Sequence, residues 1–223
     1  MPAIFRLLKE CWPIAIIFSI CIVIFALDVF TRASGIPFSA PYMMFPGYVT
    51  EAWDHVLAGT FSTEDWRAFS SLVSYAFLHG NLSHIFFNLL FIWIFGSLVL
   101  RELGAIWFFI AYFITAVAGG IGQTLLDPDS LIPTLGASGA LMGLEGVYFG
   151  MALRWRLPKP DVWPIAEPIP QERLMIFAGF GVLVDISGLI GSAENIAYGA
   201  HLGGFIAGFF LSTTLIPRPK NAQ

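Results

Sequence analysis

Six apolar runs, separated by charge and by Pro/Gly punctuation, organise this chain of 223 residues. They cover approximately Trp12–Phe30, Leu78–Leu100, Ala105–Leu126, Ser138–Leu153, Arg173–Ile190 and Ile196–Ile216. Each lies near the ~20 residues that carry a helix across a bilayer, with the fourth run the shortest. The pattern predicts an all-α polytopic membrane protein, a bundle of six transmembrane helices in a single domain spanning 1–223. No internal repeat or low-complexity segment divides it.

Cation placement orients the bundle. With the N-terminus inside, the inner segments carry Arg6, Lys9, Arg101, Arg154, Arg156, Lys159, Arg173, Arg218 and Lys220, and the outer ones only Arg32 and Arg67. This asymmetry predicts cytoplasmic termini, in accord with an even number of spans. The first run follows Arg6 and Lys9 as a secretory signal would, but it is longer than a signal's apolar core and has no small-x-small cleavage site, so a retained helix is expected. Between the first two runs lies a long outer segment, 31–77, rich in Pro, Met and aromatics from Pro37 to Pro46. It either rests in the headgroup layer or packs on the outer helix ends.

Composition supports the bilayer as solvent: 57% of residues are hydrophobic and 12% charged, against about 25% charged in a soluble domain. The formal charge of −4 and the lack of a basic stripe exclude nucleic acid as an expected partner. Cys11 and Cys21 form no CxxC and no HExxH occurs, so neither a metal nor a cofactor is expected.

Against this apolar background, polar residues inside the runs require a reason. They are Gly136-Ala137-Ser138-Gly139, the pair His84 and Asn88, His201 in Gly199-Ala200-His201-Leu202-Gly203-Gly204, and the acids Glu145 and Asp185. The second, fourth and sixth runs all pass from outside to inside, and His84, Asn88, Ser138 and His201 stand early in them. One outer layer therefore collects a hydroxyl, two imidazoles and an amide. Gly136 and Gly139 let the backbone turn tightly at Ser138, whose amide at a helix N-terminus suits a developing oxyanion. His84 and Asn88 are four apart and share a helix face. His79, five before His84, falls on another face and is expected to organise the helix start. Glycine stripes at 139, 143, 146 and 150 and at 199, 203, 204 and 208 predict close approach of the fourth and sixth helices.

Taken together, His79, His84 and Asn88, then Gly136-Ala137-Ser138-Gly139, then Ala200-His201 with Gly204 and Gly208, resemble the rhomboid family of intramembrane serine proteases. The resemblance covers the membrane portion of the chain. It implies Ser138 as nucleophile, His201 as general base, and an oxyanion hole made by the Ser138 amide, His84 and Asn88. It implies a dyad, with neither Glu145 nor Asp185 orienting the imidazole. Two positions depart from the family pattern. Met142 stands where an aromatic often supports the catalytic histidine, and Trp66-Arg67 lies farther from His79 than the family's Trp-Arg pair is expected to. The implied partners are transmembrane protein substrates and the lipid bilayer, with a bacterial inner membrane as the expected location. A catalytically inactive client-binding relative, or a small transporter lined by Glu145 and Asp185, would also fit the apolar pattern.

Overall fold

The computed structural model describes residues 11–32, 35–160, 169–190 and 196–222. Arg6 and Lys9, two of the inner cations, lie outside the described residues. Eight α-helices are described: α1 (Trp12–Thr31), α2 (Pro46–Ala58), α3 (Thr63–Ser74), α4 (Leu82–Leu103), α5 (Ala105–Leu126), α6 (Ser138–Arg154), α7 (Gln171–Ile190) and α8 (Tyr198–Thr214). The six expected spans correspond to α1 and α4 to α8. Among the described residues, α1, α4, α5 and α7 are long and apolar enough to cross a membrane. The other two, α6 and α8, have 17 residues each and occupy the interior of the bundle.

The start of α1 is set by Pro13, whose fixed φ and missing N–H suit a helix's first turn. Its buried stripe of Ile14, Ile17, Cys21 and Asp28 repeats at helical spacing, flanked by Phe18, Ile24 and Phe25 packed against the core, while most other positions face outward. Asp28 is buried near the C-terminal end of α1 and accepts hydrogen bonds from the Ser39 amide (2.7 Å) and hydroxyl (2.6 Å), which ties the segment between α1 and α4 to α1. A π-helical turn, Ile92–Gly96, interrupts α4 below the His84 and Asn88 face.

The outer segment contains two helices. Pro46 opens α2, and Ser62 and Asp65 form a reciprocal capping box at the start of α3. Both helices pack on α5. An isolated bridge between Met44 and Thr134, with the Gly47 amide donating to the Ser130 carbonyl (2.9 Å), ties this segment to the loop that leads into α6. Tyr48, Trp53 and Trp66 remain exposed on its surface.

Glycine decides the packing of α5, α6 and α8. A methyl group at Gly204 would overlap the Gly139 carbonyl, one at Gly208 the Gly143 carbonyl, and one at Gly146 the Phe205 carbonyl. Between α5 and α8, a methyl group at Gly203 would stand 2.6 Å from the Ala118 carbonyl. Helix backbones approach this closely only where side chains are absent. α7 packs differently. Its N-terminal end is held by Gln171, which donates to the Ala152 carbonyl (2.6 Å) and accepts from the Leu157 amide (2.9 Å). Leu174, Ala178 and Asp185 are its buried residues, and Ile176, Phe177, Phe180 and Leu183 all face outward.

Candidate active site

Ser138 is the first residue of α6, after a loop that turns at Gly136 with φ +131°, a conformation side-chain-bearing residues rarely adopt. The Gly136 amide donates to the Tyr75 carbonyl (2.9 Å), which fixes the approach to the helix. The first intrahelical bond runs from Leu141 to Ala137 (2.9 Å), so the Ser138 amide lies ahead of the hydrogen-bonded ladder, where helix N–H groups point free. Ser138 is half-buried.

His84 faces this turn. Asn81 caps α4 and accepts the His84 amide (2.8 Å), which sets the imidazole in the first helical turn. A methyl group at Gly136 would lie 2.6 Å from His84 Nε2 and 3.6 Å from Ser138 Oγ, so the absent side chain of Gly136 is the space that both groups border. His79 is buried behind His84, with ring centroids 5.2 Å apart in an edge-to-face arrangement. It supports His84 directly as well as lying at the helix start. Asn88 is buried one turn below; its Nδ2 donates to the His84 carbonyl (2.8 Å), which leaves one amide hydrogen, while Oδ1 has no partner among the described residues.

His201 enters from α8. A methyl group at Gly139 would stand 3.2 Å from the Ala200 carbonyl oxygen, so the residue after the serine faces the residue before the histidine. Tyr75 reaches the same junction; its hydroxyl donates to the Ala116 carbonyl (2.8 Å) and would lie 2.6 Å from a methyl group at Gly139. Tyr75 had no signal in the apolar pattern, because its contacts depend on α5 and α6 meeting around it.

The expectation that neither acid approaches the imidazole is not met. Asp185 Oδ1 lies 2.9 Å from His201 Nδ1, so a carboxylate on α7 does hold the imidazole. Both side chains are shielded, with 10% of Asp185 and 18% of His201 exposed. The pairing was hidden because it is made across two helices, while the resemblance pointed to a histidine without an acid. Asp185 is nevertheless an acid in an apolar helix, and that is its sequence signal. Glu145, two turns into α6, is buried and remains separate from this hydrogen bond. Met142 is buried one turn below Ser138, and the aromatic found against His201 is Tyr198, edge-on with centroids 6.4 Å apart. Trp66 packs on Phe61 in the outer segment, and Arg67 lines a cavity of about 580 Å³ between α2 and α3 together with Glu51, His55 and Glu64. Among the described residues no group of His, Cys, Asp and Glu is arranged to hold a metal ion.

Fold and site together define an integral membrane protein in which a serine at a helix N-terminus and a histidine–carboxylate pair occupy neighbouring apolar helices. The rhomboid domain profile matches residues 63–218, and the chain belongs to the rhomboid family. RHOMBOID-like protein 5 of Arabidopsis thaliana is 30% identical over 158 residues, covering 70% of this chain and 46% of that protein. Rhomboid protease GluP of Bacillus subtilis is 32% identical over 152 residues, covering 68% of this chain and 26% of that protein. Putative rhomboid protease YdcA of the same organism is 29% identical over 186 residues, covering 80% and 83%. The chain thus spans less than half of the first two relatives and most of the third.

Proposed function

We propose that this protein is an intramembrane serine endopeptidase that hydrolyses peptide bonds in or beside the transmembrane segments of other membrane proteins. Ser138 is the nucleophile and His201 the general base. The observation that carries this reading is the glycine-lined junction of α6 and α8, where the neighbours of the two residues, Gly139 and Ala200, are in contact. Close approach is what a proton-sharing pair requires, since its hydrogen bond must span about 2.6–3.2 Å. The Ser138 amide, His84 and the remaining Asn88 amide hydrogen supply donors for the oxyanion. The names of the two Bacillus relatives as proteases support the reaction class.

A substrate helix hides its carbonyls in hydrogen bonds and must unwind locally before attack, so helix-breaking or small residues near the cut favour cleavage. The cation asymmetry supports cytoplasmic termini and a site near the outer face. The likeness to YdcA favours a bacterial cell membrane. In detergent, the parent protein is expected to cleave a transmembrane reporter and to be labelled by a fluorophosphonate, while Ser138→Ala and His201→Ala do neither. Equal cleavage by Ser138→Ala and the parent overturns the reading.

A further inference from the structure

We propose that Asp185 is a positioning residue for His201, which makes the catalytic unit a serine–histidine–aspartate triad. This inference rests on the protease reading of Ser138 and His201.

Three observations carry it. Asp185 Oδ1 and His201 Nδ1 are 2.9 Å apart, a full hydrogen bond. α7 is otherwise an outward-facing apolar helix, and the acid is one of its three buried residues. A second contact holds the same register: a methyl group at Gly188 would overlap the Tyr198 ring, and that ring lies edge-on to His201. Gly188 is three residues after Asp185, and Tyr198 three residues before His201. The two contacts are therefore adjacent rungs between antiparallel neighbours, one turn apart. The Gly188–Tyr198 rung sets the depth of α7 against α8, and the Asp185–His201 rung uses it.

The chemistry follows from which nitrogen is engaged. A carboxylate on Nδ1 selects the tautomer with the proton there and leaves Nε2 as the acceptor. As Ser138 Oγ forms its bond to the substrate carbonyl carbon, the π pair moves to the carbonyl oxygen and the hydroxyl proton passes to Nε2. The imidazolium then carries both N–H bonds, one directed at Asp185. Collapse of the tetrahedral intermediate breaks the C–N bond, and the Nε2 proton leaves with the amine. Asp185 takes no proton at any step. It stabilises the imidazolium and prevents the ring from turning.

The competing account is a helix clamp that holds α7 without affecting the chemistry. Nitrogen-15 NMR of histidine-labelled protein separates the two, with the His201 signal assigned by its loss in His201→Gln. The parent is expected to show a protonated Nδ1 and a bare Nε2, and Asp185→Ala a mixture of tautomers. Asp185→Asn is expected to lower kcat by about 10- to 100-fold with KM unchanged, as befits a lost charge-assisted hydrogen bond that never touches substrate. Asp185→Glu should recover part of it. Gly188→Ala keeps the acid but displaces its rung, and is expected to shift the tautomer and lower kcat in the same direction. An unchanged His201 tautomer with unchanged kcat in Asp185→Ala, at an unaltered melting temperature, overturns the triad. Failure of the parent to label at Ser138 would overturn the protease reading instead, and the NMR result would still decide whether Asp185 fixes the ring.

Discussion

α6 and α7 are consecutive helices of similar length held in opposite ways. α6 buries all but four of its 17 residues, whereas α7 buries three of 20. α6 meets α8 backbone to backbone through glycines, while α7 is held by hydrogen bonds near its two ends and one ring contact. Ser138 thus stands on the most enclosed helix, and Asp185, the partner of His201, on one of the least enclosed. In the proposed protease, fixed geometry around Ser138 would serve oxyanion binding, which depends on donors already in place. The orientation of His201 depends on a contact that a small movement of α7 would change.

The strongest break in this comparison is one substitution made in both places. Gly204→Ala places a methyl group on the Gly139 carbonyl, which cannot yield, and Gly208→Ala does the same at Gly143. Each is expected to destabilise by about 1–3 kcal/mol or more, read as a lower melting temperature in detergent. Gly179→Ala and Gly181→Ala on α7 meet nothing within 4 Å among the described residues. These are expected to be neutral or to stabilise by up to about 1 kcal/mol, because alanine is the better helix former. Destabilisation by both sets alike would remove the contrast.

A smaller effect on stability with a large one on activity is expected at Gly136. Alanine there meets His84 Nε2 and strains a backbone at φ +131°, which costs about 1–3 kcal/mol. Displacement of His84 should lower kcat by about 100-fold in a reporter-cleavage assay, the scale of a 1 Å error in a catalytic group.

The smallest expected effect lies away from both helices. His55 Nδ1 and Asp65 Oδ1, 2.9 Å apart, join α2 to α3. The bond to Asp65 raises the His55 pKa. Burial opposes ionisation of Asp65, but hydrogen bonds from His55 and Ser62 outweigh it and hold its pKa below the usual value. A raised histidine contributes stability below its unfolded pKa and loses it as pH rises through the folded one; a lowered aspartate contributes above its unfolded pKa. The pair is therefore complete between about pH 4 and 6.5 and fades above. His55→Ala should flatten the dependence of melting temperature on pH across neutrality and leave the kcat ratio between parent and Asp185→Asn unchanged.

The spans were legible because bilayer thickness writes them into the sequence as runs of fixed length, and α5 begins and ends where its apolar run does. The glycine stripes were legible for a related reason: small residues at helical spacing have one packing consequence. Within the outer segment, α2 and α3 were hidden by its Pro and aromatic content, although Pro46 and the Ser62–Asp65 box are local start signals. Tyr198 beside His201 and Asp185 on its Nδ1 were not legible as partners. Their positions depend on how two helices register, and no spacing within one run encodes that.

Gln171 gives α7 a further property, that of a lever. Fourteen residues separate this N-terminal anchor from Asp185, and at 1.5 Å per residue the arm is about 21 Å long. A tilt of about 5° pivoting at Gln171 moves the carboxylate by about 2 Å, enough to break a 2.9 Å hydrogen bond while the pivot itself scarcely moves. Angular motion too small to separate the helices is thus sufficient to make or break the Asp185–His201 contact, so the setting of the imidazole follows the inclination of α7.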